Sequence, residues 1–157
     1  MKYFYEKGQF YNGSVYDEKE IKMYREMAEK TLNEYRRNQP DAQSMFPEED
    51  GLQLEALKET LRQFEINPKI YSLMDQDGEG TICLNFVNGA WTIYSCERGQ
   101  RAFLQPYPTF DLAALDLIWY LVEEPEGQDQ MCYFYHMLST AMSDLASEKN
   151  PNNAEGL

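Results

Sequence analysis

Residues 81–105 read TICLNFVNGAWTIYSCERGQRAFLQ, an alternation of apolar and polar residues interrupted by two short turn signals. Asn88-Gly89 is a strong signal for a two-residue hairpin, and Arg98-Gly99 repeats the arrangement ten residues later. With a two-residue turn at each site, the second hairpin pairs Ile93 with Leu104 and keeps both on one face. The stretch therefore predicts an antiparallel meander of three strands.

The two faces of this meander have different predicted roles. The first turn places Phe86 opposite Trp91, on the face that we predict to be the core and that Leu104 joins. The other face carries Tyr94 and Phe103. It is either a second core layer under the N-terminal helices, which we favour, or an interface with another molecule.

Helical spacing of apolar residues predicts four helices around the meander. They extend from an Asp17 cap to about Arg37, from about Glu48–Asp50 to a stop at Asn67-Pro68, from an Asp111 cap to an end at Pro125–Gly127 with Trp119 buried, and from about Asp129 to Ser147. The predicted fold is α+β, with an antiparallel meander of about three to four strands (roughly 70–105) packed against about four α-helices. Residues 1–148 form a single globular domain, and 149–157 form a polar flexible tail.

The composition is that of a globular protein in a reducing compartment. Of 157 residues, 43% are hydrophobic and 26% are charged, which suits one domain with a real core. The three cysteines, the lack of a secretion signal and the lack of a long apolar run predict a cytoplasmic protein with free thiols.

The charge of the chain is strongly asymmetric. Residues 70–148 contain twelve acidic side chains and two basic ones, whereas the first 69 residues contain 14 acidic and 11 basic side chains. A surface of one sign repels nucleic acid and anionic membranes and attracts cationic proteins. The sequence therefore predicts a cationic protein partner, with no nucleic acid and no membrane bound.

Motifs for catalysis or metal binding are weak. Asp75, Asp77 and Glu79 imitate the first ligands of a calcium loop, but Phe86 stands where a bidentate glutamate is required. The only histidine has no partner at zinc-binding spacing. We predict no catalytic residue, no metal and no cofactor, and so no enzyme, although a carboxylate pair formed by the acidic turn and the Glu123–Glu126 segment stays an alternative.

The acidic group around Glu124 has a functional and a structural interpretation. It follows the predicted third helix, and carboxylates at a helix C-terminus are electrostatically unfavourable. This cost favours a role in binding, whereas the other interpretation is a solvated surface. The predicted partner-binding surface consists of Asp75, Asp77, Glu79, Tyr107, Glu123, Glu124 and Glu126.

The segment from Trp91 to Gly99, followed by Phe110, resembles a known family pattern. It contains Trp91, Tyr94, Glu97, Arg98 and Gly99 in the order W-x-x-Y-x-x-E-R-G. This pattern is similar to that of immunity proteins from bacterial polymorphic toxin and contact-dependent inhibition systems. The resemblance covers about Leu84 to Leu121, and the first 69 residues lie outside it.

The resemblance implies a cytoplasmic protein that binds and neutralises the C-terminal domain of a cognate toxin, often a nuclease with a cationic cleft. The motif residues and Phe110 would then be mainly scaffold. The alternative is an acidic protein-binding adaptor or nucleic-acid mimic that regulates another cationic partner. The sequence leaves the oligomeric state open between a monomer and a weak dimer.

Overall fold

The computed structural model describes residues 3–6, 9–12, 18–38, 46–74 and 77–148. The helices are α1 (Glu18–Asn38), α2 (Glu48–Gln63), α3 (Phe110–Leu121) and α4 (Pro125–Glu148). The strands are β1 (Tyr3–Glu6), β2 (Gln9–Asn12), β3 (Tyr71–Leu73), β4 (Thr81–Val87), β5 (Ala90–Glu97) and β6 (Gln100–Tyr107). The predicted α+β class is confirmed, while Asp75 and the predicted tail at 149–157 lie outside the described residues. Over the described ranges, no helix is long and apolar enough to cross a membrane.

The larger sheet contains the predicted meander and one further strand. Its strand order is β3-β4-β5-β6, and β1 and β2 form a separate antiparallel pair. β4, β5 and β6 are antiparallel as predicted, but β3 pairs with β4 in parallel, through Tyr71 and Ile82 at one end and Leu73 and Leu84 at the other. β3 is therefore not a fourth strand of the meander.

The register of β6 changes within the strand, and the predicted pairing of Ile93 with Leu104 is wrong. Ser95 pairs with Ala102 as a two-residue turn requires, but Ile93 pairs with Gln105. Two residues of β6, Phe103 and Leu104, therefore lie opposite the single Tyr94, which is a β-bulge. Leu104 is 49% exposed instead of belonging to the core.

One face of the sheet joins the four helices in the main core. Leu84, Trp91 and Ile93 are buried there together with the apolar stripes of α1, α2, α3 and α4. Trp119 of α3, which we predicted to be buried, is 43% exposed, whereas its neighbour Ile118 is buried in the main core.

The opposite face is not covered by the N-terminal helices, so our preferred interpretation of it is wrong. Tyr94 is buried there in a small cluster with Cys83 and Cys96, and Val87 packs against it. The buried apolar residues of α1 and α2 belong to the main core instead. The cluster around Tyr94 is partly covered by Arg101, whose guanidinium lies 4.5 Å from the centre of the tyrosine ring.

Candidate functional site

Asp77 and Glu79, both predicted to contact a partner, are tied to the sheet. Asp77 accepts a hydrogen bond from the Tyr94 hydroxyl at 2.5 Å and another from Nε of Arg101 at 2.7 Å. Glu79 accepts hydrogen bonds from the backbone N–H groups of Arg98 at 2.7 Å and Gly99 at 3.4 Å. These carboxylates hold the loop before β4 against the turn between β5 and β6, which gives them a structural role.

This network changes the acidity of its members. Burial alone would raise the pKa of Asp77, but the hydrogen bonds from Tyr94 and Arg101 outweigh it and leave that pKa below its usual range. Burial, followed by the hydrogen bond to Asp77, raises the pKa of Tyr94 to about 12. The ionised carboxylate and the neutral phenol therefore stabilise each other near neutral pH.

The Glu-Arg-Gly motif forms the predicted tight turn. Arg98 and Gly99 have φ angles of +53° and +73°, so both central residues lie in the left-handed region that such hairpin turns require. Glu97 is the exposed last residue of β5. The motif thus shapes the end of the sheet, as its scaffold interpretation predicts.

Trp91 and Phe110, the other aromatic members of the family-like pattern, are core residues. The Trp91 ring is 3% exposed, and its centre lies 4.8 Å from that of Phe110 and 4.9 Å from that of Phe46. Its Nε1–H donates a hydrogen bond to Asp50 at 2.8 Å. The sequence interpretation missed Asp50, which looks locally like an ordinary acidic residue at a helix start.

A cleft of about 410 Å³ opens beside Trp91, where the start of α2, the β4–β5 turn and the β6–α3 connection meet. We call it the acidic cleft, because the described residues that line it include three carboxylates and no basic side chain. Its lining consists of Pro47, Glu49, Asp50, Gln53, Phe86, Gly89, Ala90, Trp91, Tyr107, Pro108, Thr109, Phe110 and Asp111. Of the predicted partner-binding residues that the structure describes, Tyr107 alone lies in this lining.

Two of the three carboxylates in the acidic cleft are fixed by buried donors. Asp50 accepts from Trp91, and Asp111 accepts a 2.6 Å hydrogen bond from the fully buried Tyr135 hydroxyl. Asp111 was predicted to cap α3, but the cap is Thr109, whose hydroxyl accepts from the backbone N–H of Leu112. Asp111 is therefore free of the capping role and faces its partner on α4.

Tyr107 closes one side of the acidic cleft and connects it to α3. Its pKa is raised well above the usual range, first by burial and then by the hydrogen bond to Asp116 and the interaction with Tyr120. The phenol is consequently neutral over the physiological range and serves as an oriented polar group with an aromatic face.

The predicted acidic group at Glu123, Glu124 and Glu126 has a different electrostatic setting from the one expected. α4 begins at Pro125, and the carbonyl of Glu124 accepts the backbone N–H of Gln128. The three exposed carboxylates thus flank a helix N-terminus, where negative charge is favourable. They also follow the C-terminus of α3, which ends at Leu121, so the N-terminus of α4 offsets the cost that was predicted from α3 alone. Over the described ranges, no hydrogen bond or ion pair joins them to Asp77 or Glu79.

Comparisons of the chain with protein-family models, with curated proteins and with solved structures find no match. The chemistry of the acidic cleft is therefore the main guide to function. Oriented carboxylates beside aromatic surfaces suit a guanidinium or ammonium group, which gains both charge pairing and ring contact.

Proposed function

We propose that this chain is a toxin-neutralising immunity protein that binds the C-terminal domain of a cognate toxin in the cytoplasm. The observation that carries the proposal is the acidic cleft, where the charged side chains among the described lining residues are the carboxylates of Glu49, Asp50 and Asp111. A basic side chain of a partner can enter it beside Trp91 and Tyr107. The family-like segment from Trp91 to Gly99 supports the proposal independently.

The charge of the whole chain favours the same kind of partner. Its formal net charge is −13, and residues 70–148 hold most of the excess. Nucleases bind phosphates with lysine and arginine, so an acidic protein can occupy such a cleft in place of nucleic acid. Complementary charge also speeds the encounter, which matters for an inhibitor that must act before damage accumulates.

Binding is the role that the carboxylates support. Asp50 and Asp111 each accept a hydrogen bond from a buried donor, so both are held in fixed orientations in the acidic cleft. We therefore propose that the acidic cleft works as a rigid, negatively charged receptor.

Charge reversal at Glu49 tests this proposal with little risk to the fold. Glu49 is exposed and lines the acidic cleft. The Glu49→Arg variant is expected to weaken binding of the basic toxin domain about tenfold, mainly through slower association. Surface plasmon resonance with the C-terminal domain encoded by the adjacent gene would measure both rate constants.

The matched control is Glu26→Arg, which reverses an exposed charge on α1 and makes the same change in net charge. If the two variants weaken binding of the toxin domain equally, only the total charge matters. That result is expected for an adaptor or nucleic-acid mimic with many cationic partners. Loss of binding by Glu49→Arg alone, together with lost protection of cells that express the toxin, would support the immunity function.

A further inference from the structure

Phe103 combines exposure with an unfavourable backbone conformation. Its side chain is 89% exposed, the largest exposure among the large apolar side chains of the described residues. Its φ is +58°, in the left-handed region that bulky residues rarely adopt. The residue therefore pays a conformational cost, and its ring gains little from packing within the chain.

The β-bulge does not require this side chain. The left-handed position of such a bulge is the one that glycine usually occupies, because glycine has no Cβ to clash. The bulge changes the register between Ser95 and Ile93 whichever residue stands there. A phenylalanine at this position is thus unfavourable for local stability, which is a pattern found at functional positions.

The surroundings of Phe103 are those of an open sheet edge. β6 is the last strand in the sheet order, and six of its eight residues are exposed. Leu104, the second residue of the bulge, is 49% exposed. The two side chains therefore form an apolar projection, which we call the bulge pair, on a strand that the described parts of the chain leave uncovered.

We propose that the bulge pair, Phe103 and Leu104, is the anchor with which this protein docks into an apolar pocket of its basic toxin partner. This inference rests on the proposed function and adds the contact that supplies affinity. Exposed aromatic side chains that enter a partner's pocket carry much of the binding energy in protein interfaces. Surrounding charges mainly set the partner and the speed of encounter.

Charge selects the occupant of this surface. A second copy of the chain would bring together two molecules that each carry a net charge of −13, and such self-repulsion favours the monomer. A basic domain is attracted instead. Tyr107 of the acidic cleft lies four residues from Phe103 on β6, roughly 13 Å along an extended strand. A separation of this size is within the span of one interface of ordinary size.

The test compares three variants of the full chain. Phe103→Gly removes the anchor and suits the left-handed position, so its urea midpoint should equal or exceed that of the wild type. Its affinity for the toxin domain should fall by at least about 30-fold, as expected for a central aromatic anchor. Phe103→Tyr keeps the ring and should bind within a few-fold of the wild type. Met23→Ala truncates another exposed apolar side chain, on α1, and should change the affinity less than twofold.

The outcomes separate this inference from the proposed function. The probe is the purified C-terminal domain encoded by the adjacent gene, and calorimetry gives its Kd. Wild-type binding that Phe103→Gly leaves unchanged would overturn the anchor and leave the immunity function standing. No wild-type binding would overturn both. Sedimentation that shows a dimer dissociated by Phe103→Gly would assign the bulge pair to self-association and overturn the choice of a basic partner.

Discussion

Replacing Trp91 with alanine is expected to lower the free energy of unfolding by about 4 kcal/mol, which is typical of a large aromatic side chain removed from a core. The ring is 3% exposed and contacts the rings of Phe46, Phe86 and Phe110. Its loss leaves a cavity at the centre of this group. The substitution also removes the Nε1–H donor, so the Asp50 carboxylate loses that hydrogen bond.

Two further variants separate packing from hydrogen bonding at this site. Trp91→Phe keeps most of the apolar contact and loses the Nε1–H donor, so it should cost about 1–3 kcal/mol. Trp119→Ala truncates the same type of side chain where it is 43% exposed. Urea unfolding followed by far-ultraviolet circular dichroism measures all three. If Trp91→Ala lowers the free energy of unfolding no more than Trp119→Ala does, the result would contradict the buried position of Trp91.

The first hairpin could be predicted residue by residue because its turn and its core pattern agree. Asn88 and Gly89 have φ angles of +51° and +81°, as a two-residue hairpin turn requires. The predicted partners Phe86 and Trp91 are paired in the structure. When turn length and the apolar face specify the same register, a shift by one residue would expose the core face.

The register of the second hairpin could not be obtained in this way, because Pro106 adds a constraint that the alternation pattern omits. Val87 and Ala90 form the hydrogen-bonded pair next to the first turn. Because hydrogen-bonding direction alternates along a strand, the backbone N–H and C=O of Trp91 point toward β6 and those of Thr92 point toward β4. An unshifted register would place Pro106, which has no N–H, opposite Trp91. The bulge places it opposite Thr92, where β5 requires no such donor.

The acidic cleft was beyond sequence reasoning for a different reason. Asp50 and Asp111 each lie in the first turn of a helix, where acidic residues are common and carry no special signal. Their partners, Trp91 and Tyr135, are 41 and 24 residues away in the chain. Only the packing of α2, α3 and α4 around the sheet brings these pairs together. Tyr107 was predicted as part of an acidic, tyrosine-containing surface, and it is the one member of that surface among the described residues that falls in the lining.

Replacing Asp77 with alanine is expected to lower the free energy of unfolding by about 2 kcal/mol, because a buried donor then loses a charged acceptor. Tyr94 is 1% exposed, and its hydroxyl donates to Asp77. Arg101 loses its carboxylate partner in the same variant. Asp144→Ala removes an exposed carboxylate from α4 and should change stability by less than about 0.5 kcal/mol. A double-mutant cycle with Tyr94→Phe should show coupling, since the two side chains form one network.

The pH dependence of unfolding gives this network a second, independent signature. The pKa of Asp77 is lowered in the folded state, so its stabilisation is present above the unfolded value near 4 and is lost as pH falls through the folded value. The difference in the free energy of unfolding between the wild type and Asp77→Ala should therefore become smaller as the pH is lowered below about 4. Tyr94 has the opposite sign: its pKa is raised to about 12, so its contribution is complete below about pH 10 and is lost as pH rises through 12. A difference between wild type and variant that stays constant from neutral pH into acid would contradict an ionised, hydrogen-bonded Asp77, because only the charged carboxylate accepts from both Tyr94 and Arg101.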